Sequence, residues 1–242
     1  MKTQLQHISG LFVFYRHYRS IAFLIILSAG LVMTINSCQS DNPVSSVVWK
    51  LDNHTEIGGY SPVVIGNPKI VNESTRTFLS FNGESDGIIV PLNPVYSWDQ
   101  FTVEVLFYPS SDGRPEQRFV HFMDKKGNRG LIETRVTSDG KWYLDTYLHD
   151  GAKDEGYTLA DREKLHPCDE WFWAALVYDG ITMRHYINAV EELSGEFEFG
   201  PMETGMISLG VRLNQVYWFK GNISEVRFHP RPLNAQQLQN SY

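Results

Sequence analysis

Cysteine is nearly absent: the 242 residues hold two, Cys38 and Cys168. That excludes a disulfide-stapled scaffold. No C-x-x-C pair and no H-E-x-x-H string occurs either, so the common zinc frameworks are missing. Long apolar runs are also lacking. The longest, IAFLIILSAGLVMTI over residues 21–35, falls short of the ~20 residues a membrane-spanning helix needs. Nor is there a basic excess: 21 Lys and Arg stand against 28 Asp and Glu, a net charge of −7. Nucleic-acid binding leaves a basic footprint, and this chain has none. Amphipathic helical periodicity is scarce, and neither an internal repeat nor a low-complexity tract is present.

What is there begins with the front of the chain. Residues 1–20 carry Lys2, Arg16 and Arg19 with no acid, and the uncharged run follows. This is the basic-then-apolar layout of a secretory signal. Ile35-Asn36-Ser37-Cys38 resembles a bacterial lipobox, with an aliphatic residue at −3 and a small residue before the cysteine. The expectation is a cleaved signal over 1–37, a diacylglyceryl group on Cys38, and a polar tether over 38–46. Two or more acyl chains anchor stably, whereas one holds only marginally. The product would be exported and held on a membrane, at the outer membrane or cell surface. Without residues 1–37 the chain keeps 18 basic against 28 acidic residues, a net charge of −10.

Residues 47–242 fit one domain, expected to be monomeric. Phe101, Val103, Val105 and Phe107 alternate with Thr102, Glu104 and Leu106. Ile132, Thr134 and Val136 alternate with Leu131, Glu133 and Arg135, and Trp142 to Leu148 alternate with Tyr143, Asp145, Tyr147 and His149. Period two marks half-buried strands. Asn82-Gly83, Asp86-Gly87, Gly127-Asn128, Asp139-Gly140 and Asp179-Gly180 supply turns, and Asp139-Gly140 between two alternating runs predicts a hairpin. The pattern predicts an all-β, antiparallel β-sandwich. Helix is expected only at 233–241, with Asn234 as cap, and as a short turn at 160–165.

Residues 78–91, FLSFNGESDGIIVP, resemble the opening of a LamG-like, concanavalin A-like jelly roll. Phe101 to Val105, Trp171 to Gly180, Arg184 to Asn188 and Phe219 to Arg227 are similar to its later strands, in order. The resemblance implies a jelly-roll fold. With the lipoprotein signal, it implies a component of a bacterial polysaccharide-utilisation system. It does not fix the activity, because the superfamily joins lectins, adhesive modules, glucanases and polysaccharide lyases. The E-x-D-x-x-E string of its retaining glucanases is absent. Glu133-Thr-Arg135, Val120-His121 and Tyr217-Trp-Phe-Lys220 resemble the three strands of jelly-roll alginate lyases, although no Gln stands two before His121.

If Phe101, Ile132 and Trp142 face the core, the opposite face carries Glu104, His121, Glu133, Arg135, Tyr143, Asp145, Tyr147 and His149. A solvated face needs only Thr, Ser, Lys and Glu; this one is rich in Tyr, His and Arg. These residue types suit β-elimination on a uronic acid, by a lyase or an oligosaccharide dehydratase. A cation must neutralise the carboxylate, a base must take the C5 proton, and an acid must protonate the leaving oxygen at C4. Arg135 is expected to bind the carboxylate, with Glu104, Glu133, Asp145 and Lys220 as further substrate contacts. His121 or His149 is expected as the base and Tyr147 or Tyr143 as the acid. The substrate expected is an acidic poly- or oligosaccharide such as ulvan or alginate. The rival expectation is a non-catalytic glycan-binding lipoprotein.

Other residues carry less. Asn82, Glu84 and Asp86 share a loop whose oxygens could take calcium; no other cofactor is expected. Trp142, Trp171 and Trp173 are expected in the core, with Trp98 and Trp218 freer to meet a sugar. His185 and His229 are expected to be packed, and Cys168 to be a buried thiol. Tyr157 and Arg162 are placed in a loop able to cap the groove.

Overall fold

The computed structural model describes residues 45–239, so the signal and Cys38 lie outside the described residues. In chain order the strands are β1 (Val47–Lys50), β2 (Val63–Ile65), β3 (Lys69–Asn72), β4 (Thr77–Asn82), β5 (Gly87–Val90), β6 (Phe101–Pro109), β7 (Glu116–Asp124) and β8 (Arg129–Val136). They continue with β9 (Lys141–Asp150), β10 (Glu155–Ala160), β11 (His166–Pro167), β12 (Phe172–Tyr178), β13 (Thr182–Ile187), β14 (Val190–Glu196), β15 (Gly205–Leu209) and β16 (Lys220–His229).

Two eight-stranded antiparallel sheets result. The first runs β14-β13-β12-β6-β16-β4-β3 with β1 on β16; the second runs β10-β9-β8-β7-β15-β5-β2 with β11 on β9. The core between them is made by the predicted inward sets. Phe101, Val103, Val105 and Phe107 of β6 face Trp142, Leu144 and Leu148 of β9 across one buried cluster. Phe107 stacks on Phe119 at 4.4 Å and meets Trp142 edge-on at 5.2 Å. Each such side chain contributes roughly 1.5–3 kcal/mol by leaving water. The expected hairpin joins β8 to β9, pairing Val136 with Trp142, and Gly140 takes a φ of 73° in its turn.

Among the described residues the expected helices do not form. Asn234 caps as predicted, its side chain accepting from the amides of Gln236 and Gln237, but the segment makes one turn. Residues 160–165 end β10 and turn without helix. The segment placed as a groove-capping loop is largely β10 itself, and Tyr157 stacks on Phe197 at 5.9 Å.

The end of the chain decides which outer face is open. Leu233 and Leu238 pack on Ala175, Val177 and Tyr186 of the first sheet. The Leu233 amide donates to Thr102, and the Gln239 amide donates to Glu104. The outer face of the first sheet is therefore covered where β6 and β12 cross it. The second sheet keeps its outer face over β7 to β10.

A bulge in β7 shapes that face. Pairing with β8 shifts between Arg118 and Val120, and Phe119 and Val120 are both buried. The extra residue reverses the side-chain phase, so Arg118 and His121, three apart, both join the outer set.

Candidate functional site

Register places the outer residues in rows across the second sheet. Thr158 of β10 pairs with Tyr147, Tyr147 with Leu131, Leu131 with His121, and His121 with Ser208 of β15. The next row is Ala160, Asp145, Glu133 and Arg118; the one beyond is Tyr143, Arg135 and Glu116. Strands lie ~4.8 Å apart, so Tyr147 and His121 stand about 10 Å apart with Leu131 between them. Gly156 gives the Tyr147 ring its room, since a Cβ there would lie 2.0 Å from the hydroxyl.

Over this row lies a pocket of about 280 Å³, lined by Arg118, Arg129, Leu131, Glu133, Tyr147, Thr158, Arg212 and Tyr217, with Arg135 and Asp145 at one side. A neighbouring hollow of about 550 Å³ shares Arg135 and Asp145 and continues past Tyr143, Glu116 and Arg162. The two make one groove.

Its electrostatics are uneven. Arg135 holds Asp145 at 2.7 Å, Glu116 at 2.8 Å and Glu133 at 3.4 Å. Burial opposes its charge, yet these carboxylates keep it above the ordinary arginine value. Arg118 donates to Glu133 at 2.9 Å and lies 3.7 Å over the Tyr217 ring. Burial, then the charge of Asp145, raises Glu133 to about 7. Burial also raises Asp145. Arg129 and Arg212 pair with no carboxylate among the described residues. Burial, then Arg118 and Arg129, pulls Arg212 below the usual arginine range.

His121 is 2 % exposed beside this cluster. Its Nδ1 accepts the Leu213 amide at 3.0 Å. Burial, then Arg212, Arg129 and Arg118, pushes it down to about 3. The ring is therefore neutral with its proton on Nε2, and that Nε2 has no acceptor. Arg118 Nη1 and Arg129 Nε are buried donors in the same condition. Unmet buried donors cost about 1–3 kcal/mol each.

The expected site residues divide. Tyr147, Glu133, Asp145 and Arg135 line the pocket; His121 lies beside it; Tyr143 faces the adjoining hollow. His149 is not brought in: its Nδ1 meets the Gly127 carbonyl and its Nε2 meets Asp154, both at 3.2 Å. Glu104 belongs to the first sheet, a correction to the expected row, and Lys220, expected as a substrate contact, lies on that sheet too. Glu104 accepts from His229 Nε2 at 2.9 Å, and Lys220 donates to Asp112 at 2.5 Å. Alternation shows that a residue faces outward but not from which sheet, which is why Glu104 was grouped with the others. Arg135, expected to take a carboxylate, is already matched by three.

The remaining residues are placed as follows. Trp142 is in the core, Trp98 packs against the core instead of standing free, and Trp218 lines a hollow next to Tyr217. Trp171 is half-buried against Phe78 and Tyr108, and Trp173 is buried under Arg227. His185 and His229 are buried, and burial raises the Cys168 thiol to about 11. The proposed calcium loop does not fit an ion. Asn82 Oδ1 accepts the amides of Glu84, Ser85 and Asp86, and the Asp86 oxygens accept those of Asn67 and Asn82. Only Glu84 is unspent.

The family model described as the concanavalin A-like lectin/glucanases superfamily, Laminin_G_3, matches residues 82–239. The chain belongs to this superfamily. No curated protein matches it. Among solved structures, this superfamily member is similar to domain 4 of AbnA, a GH43 extracellular arabinanase from Geobacillus stearothermophilus in complex with arabinotriose. Identity is 21 %, covering 79 % of this chain and 94 % of that one, with a TM-score of 0.59. It is similar to the botulinum neurotoxin type G receptor binding domain, at 11 % identity, 81 % and 49 % coverage and a TM-score of 0.56. The NanB sialidase from Streptococcus pneumoniae is 19 % identical over 61 % of this chain and 24 % of that one, with a TM-score of 0.51. The likenesses show the sandwich.

Arg118, Arg129 and Arg212 were missed in the sequence. Arg129 stands two before Leu131 and four before Glu133, so the same alternation reaches it. Arg118 is hidden by the bulge, and Arg212 lies on a loop where no periodicity operates.

Proposed function

We propose that the protein is an exported, lipid-anchored carbohydrate-active protein that binds an acidic glycan in this groove and eliminates across C4 and C5 of a uronate. The support is one convergence: Arg118, Arg129 and Tyr147 line a single pocket, and the buried His121 Nε2–H stands beside it. In this reading Arg129 faces the uronate carboxylate, while Arg118 stays paired with Glu133. The neutral His121 is not the base; it is a donor that stabilises charge developing on the carboxylate, as a neutral imidazole with a depressed pKa can. Tyr147 handles the proton. Its oxygen takes the C5 proton as its own hydroxyl proton passes to the leaving oxygen, the C–H electron pair forms the C4=C5 double bond, and the C4–O bond breaks. Tyr147 ends the step as a neutral phenol. With a sugar on the leaving oxygen this is lyase cleavage; with a free hydroxyl it is loss of water. That AbnA domain 4 was solved with arabinotriose supports a sugar-binding role for the sandwich.

One observation favours a second reading, glycan binding without chemistry: His121 is too weak a base at neutral pH to share in proton transfer. Incubation with uronate poly- and oligosaccharides separates the two. Elimination gives ultraviolet absorbance from an unsaturated uronate, and Tyr147→Phe lowers its rate by about a hundredfold or more while binding persists. Binding on an affinity gel with no absorbance on any substrate makes the groove a binding site only.

A further inference from the structure

Two arginines of the groove have no carboxylate partner among the described residues. Four arginines line the pocket over Tyr147, and they divide into two pairs. Arg135 and Arg118 share the three carboxylates of Glu116, Glu133 and Asp145. That half is closed, and it would repel an anion. Arg129 and Arg212 meet no carboxylate of the described residues. Arg129 instead lies over the Tyr147 ring, 5.6 Å from its centroid. Arg212 stands in the loop after β15, whose Leu213 amide holds His121. Two like charges held near each other in a partly dry pocket repel far more than they would in water. The rest of the chain is acidic, so the surplus is local and directional.

We infer that the groove takes a disaccharide unit with two negative charges, one at Arg129 and one at Arg212. This rests on the acidic-glycan reading above and narrows it. A lone carboxylate would leave one guanidinium uncompensated; two groups on neighbouring sugars close both. The second group is a carboxylate, in an all-uronate chain, or a sulfate ester on the sugar beside the uronate. Both present oxygens suited to the guanidinium fork.

The test is calorimetric binding with three oligosaccharides of equal length. One alternates uronate with a neutral sugar, one is the same chain sulfated on that sugar, and one is all uronate. With Tyr147→Phe in the background, none is consumed during titration. The expected result is at least tenfold tighter binding of one or both doubly charged chains, and the preferred one identifies the second group. Arg212→Gln should narrow that gap to under twofold, with its near-ultraviolet circular dichroism unchanged. Equal affinity for singly and doubly charged chains overturns the inference and leaves the acidic-glycan groove standing. So does an Arg212→Gln variant that weakens all three by one factor. Binding of none of the three overturns the groove reading and this inference together.

Discussion

Arg129 stands over the ring of Tyr147 with its guanidinium carbon 5.6 Å from the centroid, and no carboxylate of the described residues pairs with it. A cation that leans on an aromatic face instead of an acid remains available to an incoming anion. Removing it therefore costs function more than folding. Arg129→Gln should weaken uronate binding by about tenfold or more, the equivalent of ~1.4 kcal/mol. Its unfolding midpoint should stay within the range of ordinary surface substitutions. Titration calorimetry and denaturant unfolding on the same preparation check both.

Arg135 should behave in the opposite way. It is the common partner of Glu116, Glu133 and Asp145. Its loss strands the buried Asp145 carboxylate and leaves Glu133 to Arg118 alone. Breaking such a group by removing one member costs about 3–5 kcal/mol. Arg135→Ala should unfold at clearly lower denaturant, and Arg135→Lys should recover only part, because a single ammonium cannot fork to three acids.

Two buried groups beside the pocket bend stability with pH in opposite senses. Glu133 rises from 4.5 to about 7 on folding, so between those values the folded chain binds more protons and stability falls as pH rises. His121 drops from 6.5 to about 3, so across that range the unfolded chain binds more protons and stability is lost as pH falls. Each slope is about 1.4 kcal/mol per pH unit, and they offset where the windows overlap. Glu133→Gln should uncover a rise in stability between about pH 4.5 and pH 6.5, where the parent is flat. His121→Gln should uncover a fall over the same interval. Urea unfolding at half-unit pH steps checks both.

Gly130 of β8 has the Phe122 ring against it; an added Cβ would lie 2.0 Å from that ring. Gly130→Ala should destabilise by about 1–3 kcal/mol through overpacking, with the groove chemistry retained in the folded fraction. Thermal unfolding followed by circular dichroism reads the shift.

The fold was legible because alternation needs no tertiary information. The inward sets of β6, β8 and β9 are the core, and Asp139-Gly140 is the turn between β8 and β9. The site was legible only along straight strands. Tyr143, Asp145, Tyr147, Glu133 and Arg135 were found because they keep phase with buried neighbours. Glu104 kept the same phase in the other sheet, and nothing local distinguishes one outer face from another. Arg118 lies across a bulge that resets the count, and Arg212 lies in a loop. Arg135 was given a role that depends on its being unpaired, a property of neighbours from three different strands.

The tautomer of His121 is set by the main-chain N–H of residue 213, not by a side chain. Every amino acid except proline carries that N–H. A side-chain change at position 213 that keeps the loop's path therefore leaves the imidazole's polarity as it is. The determinant is the path of the loop, inherited as geometry instead of as a letter.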